Sequence, residues 1–238
     1  MSNNYDRIAR FYDVDMARNM PFDDVGFYAD LCHRHGGTAL ELVARGIDAI
    51  GVDASAGMLR ELKRKAAQRG LPARIARMDV TRPALTGGFG VILCPYSLVT
   101  YVTGDGAVAR LCGRMRELLR PGGWLVVDAF VPRPVAVQDD FTLDYRRPFG
   151  EHTLARWKRL RPVDAATNRI ERRYRLCGAD GTVVEQVDVA ETIRPYAPTA
   201  LREAVAAPGL TPVGEWWDYG QAAGPASAQF FTLVARAP

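Results

Sequence analysis

Ile47-Asp48-Ala49-Ile50-Gly51-Val52-Asp53-Ala54-Ser55-Ala56-Gly57-Met58-Leu59 is a short apolar run that ends on a carboxylate and turns into a helix. Ser55 is placed to cap that helix. Met58, Leu59, Leu62 and Ala66 follow at helical spacing. The same unit of buried strand and amphipathic helix recurs on both sides. Residues 22–35 carry Phe22, Val25, Tyr28, Ala29 and Cys32 near one helical face. Ala73–Ala76 reads as a third strand and Val91-Ile92-Leu93-Cys94 as a buried one. Val108, Leu111, Cys112, Met115, Leu118 and Leu119 mark a helix, with Pro121-Gly122-Gly123 as its expected stop, and Trp124–Phe130 is again a strand. Buried strands alternating with helices predict an α/β fold, a mostly parallel sheet covered on both faces.

The pattern changes after Phe130. Ile170, Arg172, Tyr174 and Leu176 alternate with Arg169, Glu171, Arg173 and Arg175, and Asp180-Gly181 is a hairpin signal. Segments 153–161, 169–176 and 183–193 therefore read as antiparallel strands, one face rich in charge. A helix around Pro198–Ala207 and strands near Val213–Tyr219 and Gln229–Ala235 close the chain.

The chain has 238 residues, 48% hydrophobic and 24% charged, which fits one globular domain with an elaboration and excludes a disordered or collagen-like chain. Its net charge of +4 lies in one segment: Tyr145 to Tyr196 holds 11 Lys/Arg against 7 Asp/Glu. Cys32, Cys94, Cys112 and Cys177 form no C-x-x-C pair, so they read as reduced thiols, and no zinc or other metal site is expected. No apolar run approaches the ~18 residues of a membrane span. The opening Met1-Ser2-Asn3-Asn4-Tyr5-Asp6 is no secretory signal, so a cytoplasmic protein is expected.

Two acids stand out. Asp53 follows a strand, where open α/β sheets take nucleotides, and its carboxylate could accept both hydroxyls of a ribose. Read alone, it is equally a helix cap. Asp79, in Arg77-Met78-Asp79-Val80, follows the next strand and could receive an adenine amine; read alone, it is a turn residue before Pro83.

Gly51 to Leu59, Met78-Asp79-Val80, and Leu119-Arg120-Pro121-Gly122-Gly123-Trp124-Leu125-Val126-Val127-Asp128 together resemble the class I S-adenosylmethionine-dependent methyltransferases. Tyr5-Asp6-Arg7-Ile8-Ala9-Arg10-Phe11-Tyr12-Asp13 is similar to the N-terminal cover of small-molecule members, and the closing Phe230 to Arg236 also fits. The resemblance implies a Rossmann-like three-layer sandwich with an antiparallel β insertion. Residues 1–35 would form the lid, 36–130 with 197–238 the cofactor-binding core, and 131–196 the insertion over the acceptor. It implies S-adenosyl-L-methionine as cofactor, with Asp53 and Ala54 at the ribose, Met58 on the adenine, and Asp79 and Val80 at its amine. Pro95 and Tyr96 would line the methionine end, with Tyr5 and Tyr12 as lid aromatics. Ser97 falls in the stretch facing the acceptor.

One departure is large. Gly36-Gly37-Thr38-Ala39-Leu40-Glu41-Leu42-Val43-Ala44-Arg45-Gly46 runs straight into Ile47. If Thr38–Leu42 is the first strand, only Val43–Gly46 remains for a crossover that needs at least ~10 residues. If Thr38–Arg45 is the crossover helix, the first strand is absent. A segment omitted from the sequence, a deletion, or a fold that has lost its donor all stay open; the retained acids and lid favour the first two.

For the acceptor, Tyr145, Arg146, Arg194 and Tyr196 combine aromatics with cations that could seat an anionic group, or simply pair across the sheet. No histidine follows the fourth strand, and no catalytic base is identified. The expected activity is methyl transfer to an N or O atom of a small molecule. The rivals are a non-catalytic member and an RNA methyltransferase; seven acids among the basic strands and the lack of a stacking platform argue against nucleic acid. The insertion is also a candidate dimer face.

Overall fold

A computed structural model describes residues 4–16, 22–35 and 40–238. In chain order these form α1 (Asn4–Ile8), a 3-10 turn (Ala9–Phe11), α2 (Tyr12–Met16), α3 (Asp24–His35), α4 (Leu40–Ala44), β1 (Gly51–Asp53), α5 (Ala56–Gln68), β2 (Ile75–Arg77) and β3 (Phe89–Cys94). A 3-10 turn (Leu98–Tyr101), α6 (Ala107–Leu118) and β4 (Leu119–Phe130) precede the insertion strands β5 (Thr142–Phe149), β6 (His152–Pro162), β7 (Asn168–Cys177) and β8 (Val183–Ile193). The chain closes with α7 (Pro198–Ala206), β9 (Thr211–Trp217), a 3-10 turn (Asp218–Gly220) and β10 (Phe230–Arg236).

The core is three-layered because β4 and β10 are apolar on both sides. Leu125, Val127, Ala129, Phe231 and Leu233 pack on Val108, Leu111, Cys112 and Met115 of α6 and on Leu201 and Val205 of α7. Val126, Phe230 and Val234 face the other way, onto Tyr28, Ala29 and Cys32 of α3 and Leu42 of α4. Strands buried on both faces are apolar along most of their length, and Asp128 of β4 and Thr232 of β10 are the buried polar exceptions. Strand order in the core is β3-β4-β10-β9, with β3 and β4 parallel and β10 antiparallel to both its neighbours.

β1 and β2 form a separate parallel pair, Val52 opposite Ala76. Among the described residues no strand joins them to β3. Leu40–Ala44 is helical, which matches the second alignment of the Gly36–Gly46 stretch, the one without a first strand. Thr38 and Ala39 lie outside the described residues. Leu42 is buried with α3 against Val91 and Val126, so this stretch contributes to a helical layer and not to the sheet.

Three expectations are corrected. The strand before Asp53 begins only at Gly51. α6 ends at Leu118, before the expected stop at Pro121-Gly122-Gly123, and β4 starts at Leu119 and runs through that stretch. The pairing with β3 shifts register there, so the N–H that Pro121 lacks is not missed by the ladder. The insertion also has a fourth strand, β5, hidden in the sequence by Arg146-Arg147-Pro148 and by a register shift between Leu143 and Tyr145. The hairpin at Asp180-Gly181 forms as read: Gly181 takes φ +82°, and Asp180 Oδ1 accepts from the Thr182 amide at 3.0 Å.

The insertion sheet, in order β5-β6-β7-β8, lays Leu154, Tyr174, Val187 and Val189 on Ile8 and Phe11 of the lid. Asp15 of α2 is 5% exposed at the centre of this contact. It accepts from Tyr145 Oη at 2.7 Å and Tyr174 Oη at 2.9 Å, and pairs with Arg156, which also binds Asp144 through Nε at 2.8 Å. Arg147 donates to the Asp15 carbonyl at 2.7 Å. Without Asp15, Arg156 keeps Asp144, but the Tyr145 and Tyr174 hydroxyls lose their acceptor. Asp15→Ala is therefore expected to lower the unfolding free energy by about 1–3 kcal/mol. Urea denaturation measures this; an unchanged midpoint would mean that the cluster contributes nothing to holding the lid.

Candidate functional site

Asp53 is the last residue of β1. The helix cap behind it is Ser55, whose Oγ accepts the Met58 amide at 3.1 Å. Asp53 itself accepts the Ser55 amide at 2.7 Å, and no Lys or Arg among the described residues pairs with it. Burial pushes its carboxyl up, only partly offset by the Ser55 and Ala54 amides, and the nearby Asp6 adds to the rise. A half-buried carboxylate without a cation, at the carboxyl end of a strand, is a receptor for hydroxyl donors.

The N-terminal helix α1 meets the chain next to this point. Asp6 Oδ1 accepts Ser55 Oγ at 2.6 Å and the Gly57 amide at 2.5 Å, and these bonds hold its carboxyl below the usual range. Such a bond to the open amides of a helix start is favourable. It requires glycine at 57, because a Cβ there would lie 2.8 Å from Asp6 Cα. Tyr5 Oη is 2.9 Å from Tyr101 Oη, and the Tyr5 ring sits 6.3 Å from Tyr12 and 6.1 Å from Tyr101, edge-on in both cases. Burial raises the Tyr12 hydroxyl, with Tyr101, Asp15 and Asp53 adding to it, so this ring lies within reach of both carboxylates.

Arg172 and Glu191 face the same tyrosines. They form an ion pair at 3.2 Å, both little exposed, with Arg172 Nη2 3.5 Å from Tyr101 Oη. Burial opposes the charge on Arg172, but the surrounding tyrosines and Glu191 hold it firmly protonated. The sequence reading passed over this pair. Its signal was a guanidinium in the same alternation phase as Ile170, Tyr174 and Leu176, the apolar phase of β7.

The turn after β3 is constrained. Tyr96 and Ser97 take φ of +54° and +56°, a region that L-residues other than glycine rarely occupy. Ser97 is fully buried; its Oγ accepts the Phe130 amide at 2.9 Å and its carbonyl the Thr100 hydroxyl at 2.7 Å. Ser97 thus ties β3 to the end of β4. Tyr96 lies by the Asp24 carboxyl at the start of α3, and burial raises both groups.

The remaining expected residues fall in three places. Met58 and Pro95 are half-buried near the site, Val80 packs on the core, and the Ala54 carbonyl accepts Arg77 Nε at 3.1 Å. Burial pulls Asp79 up, but the Thr81 hydroxyl at 2.7 Å and amide at 2.9 Å outweigh it and hold the carboxyl low. The insertion residues do not converge. Tyr145 is bound to Asp15, while Arg146 lies over the Trp157 ring at 6.0 Å. Arg194 pairs with Asp105 at 2.6 Å and Tyr196 Oη donates to the Val102 carbonyl at 2.6 Å, beside a separate cleft of about 470 Å³ at the start of α6.

Residues 29–123 match the model of a methyltransferase domain. No curated protein matches the chain by sequence. Among solved structures it is similar to an S-adenosylmethionine-dependent methyltransferase from Clostridium acetobutylicum, at 15% identity, 98% of each chain and a TM-score of 0.77. It is similar to DesVI of Streptomyces venezuelae at 19% identity, 95% of this chain and 96% of that one, TM-score 0.73. The sugar N-methyltransferase KedS8 of Streptoalloteichus matches at 20% identity, 95% and 92% coverage, TM-score 0.70.

Gly57→Ala should push α1 off the start of α5, an overpacking cost of about 1–3 kcal/mol. The expected readout is faster tryptic cleavage at Arg7 and Arg10; cleavage at the wild-type rate would show that the lid does not depend on this close approach.

Proposed function

The chain carries a methyltransferase domain in the class I S-adenosylmethionine-dependent fold, and we propose that it methylates an amine or hydroxyl of a small, polar acceptor. The observation that carries this is Asp53: a half-buried, cation-free carboxylate at the carboxyl end of β1, close enough to Tyr12 to raise its hydroxyl. The donor set fits the nucleoside half of S-adenosylmethionine. Asp53 would take the ribose hydroxyls, Met58 would pack on the adenine, and Asp79 would face its amine. When bound, that cofactor supplies an electrophilic methyl group on a sulfonium.

The protein's part is then placement and exclusion of water. Tyr5, Tyr12 and Tyr101 cover the site, and the Arg172–Glu191 pair gives the acceptor side a fixed donor and a fixed acceptor. An amine needs only to be neutral to attack, whereas a hydroxyl needs its proton removed. A nitrogen acceptor is supported by similarity to a sugar N-methyltransferase and to an amino pentose methyltransferase. An RNA acceptor has less support, because Trp157, the ring a base would stack on, is flanked by Arg146 and Arg175. No helix among the described residues is long and apolar enough to cross a membrane. A dimer through the insertion remains part of this reading.

The break between the β1-β2 pair and β3 favours a second reading, a methyltransferase fold that no longer takes the donor. Calorimetric titration with S-adenosylhomocysteine separates the two. Heat of binding, weakened by about 1–3 kcal/mol in Asp53→Ala, is expected from the first; no heat at high micromolar ligand would establish the second.

A further inference from the structure

Asp128, on β4, is 0% exposed. Its Oδ2 accepts the hydroxyls of Tyr28 and of Tyr219, the latter at 2.9 Å. Its Oδ1 makes no hydrogen bond, and neither does the hydroxyl of Thr232, the residue directly opposite on β10. A buried polar atom without a partner is costly and calls for an explanation. The groups facing this carboxyl are Tyr28 and Asp24 from α3, Tyr219 from the turn before β10, Thr232 from β10, and Cys94 and the Tyr96 amide from β3 and its turn. No cation among the described residues is paired with it.

We propose that Asp128 is a positioning residue: by gaining or losing one proton it releases or pins the left-handed Tyr96–Ser97 turn that borders the transfer site. In the neutral acid, Oδ2 serves the two phenols and Oδ1 carries the proton, which Thr232 Oγ1 can accept, so both orphan atoms are satisfied. The Tyr96 amide is then held weakly. In the carboxylate, Oδ1 can only accept, and the donors facing it are the Thr232 hydroxyl and the Tyr96 amide. Linkage requires these contacts to strengthen on ionisation, because hydrogen bonds to the charged form favour it. Tyr96 and Ser97 sit at φ of +54° and +56°, so the turn persists only while its surroundings hold it. Ser97 Oγ passes the constraint to the Phe130 amide at 2.9 Å.

Burial pushes the Asp128 carboxyl up to about 6, against the tyrosine hydroxyls that pull it down. Two opposite pH effects follow. Global stability contributed by Asp128 is fully present below the ordinary carboxyl range and is lost as pH rises through about 6, since the charge is buried. Protection of the turn rises over the same interval.

Hydrogen exchange of segment 95–102 between pH 5 and 8, corrected for intrinsic rates, tests this on the full chain. Protection in the wild type should rise about fivefold with pH while the thermal midpoint falls. Asp128→Asn, which places an acceptor on the phenols and a donor on Thr232, should show neither trend. Tyr219→Phe removes a donor to the carboxylate, so the rise should move to higher pH. A pH-independent turn in the wild type, or an unshifted rise in Tyr219→Phe, would overturn the proposal. Only its bearing on catalysis rests on the methyltransferase reading. S-adenosylhomocysteine that fails to bind at any pH while the turn responds would therefore sink that reading and leave this one standing.

Discussion

The lid depends on one buried carboxylate. Asp15 draws two phenols and a guanidinium from the insertion onto α2, and Asp6, nine residues earlier, ties α1 to the start of α5. These two anchors join three parts that are far apart in sequence: the first helices, the helix behind Asp53, and the antiparallel sheet. Neither anchor is a surface ion pair of the sort that salt screens away. Asp15 is buried and surrounded by donors, while Asp6 is partly exposed and holds through its two bonds to the start of α5.

The polar interior follows the same logic. Tyr5, Tyr12 and Tyr101 form a phenolic cluster beside the Arg172–Glu191 pair. The Tyr5 and Tyr12 hydroxyls are raised by burial and stay protonated, so they act as donors and as walls. A small polar molecule entering here would meet a guanidinium, a carboxylate and hydroxyls already held in place by one another, with little ordering left to do.

The sequence made much of this legible. Helical spacing and apolar runs located α3, α5, α6 and the central strands, because each must bury a face and the burial sets the residue pattern. Asp53 and Ser55 could be told apart only in three dimensions, where Ser55 proved to be the cap. β5 was hidden because a register shift breaks its alternation. Tyr145 and Arg194 were singled out for their chemistry, yet their partners, Asp15 and Asp105, lie 130 and 89 positions away. Arg172 was readable in principle, being a charge out of phase with its own strand.

The interrupted ladder has a mechanical consequence. Hydrogen bonds bind β3, β4, β10 and β9 into one slab, whereas the β1-β2 pair leans on α5 and through it on the lid. Among the described residues, the edge that carries Asp53 is thus a cantilever, joined to that slab by side chains and not by a backbone ladder. A nucleoside gripped there would act as a strut between that edge and the tyrosines above it. Its measured affinity would include the stiffening of the whole arm.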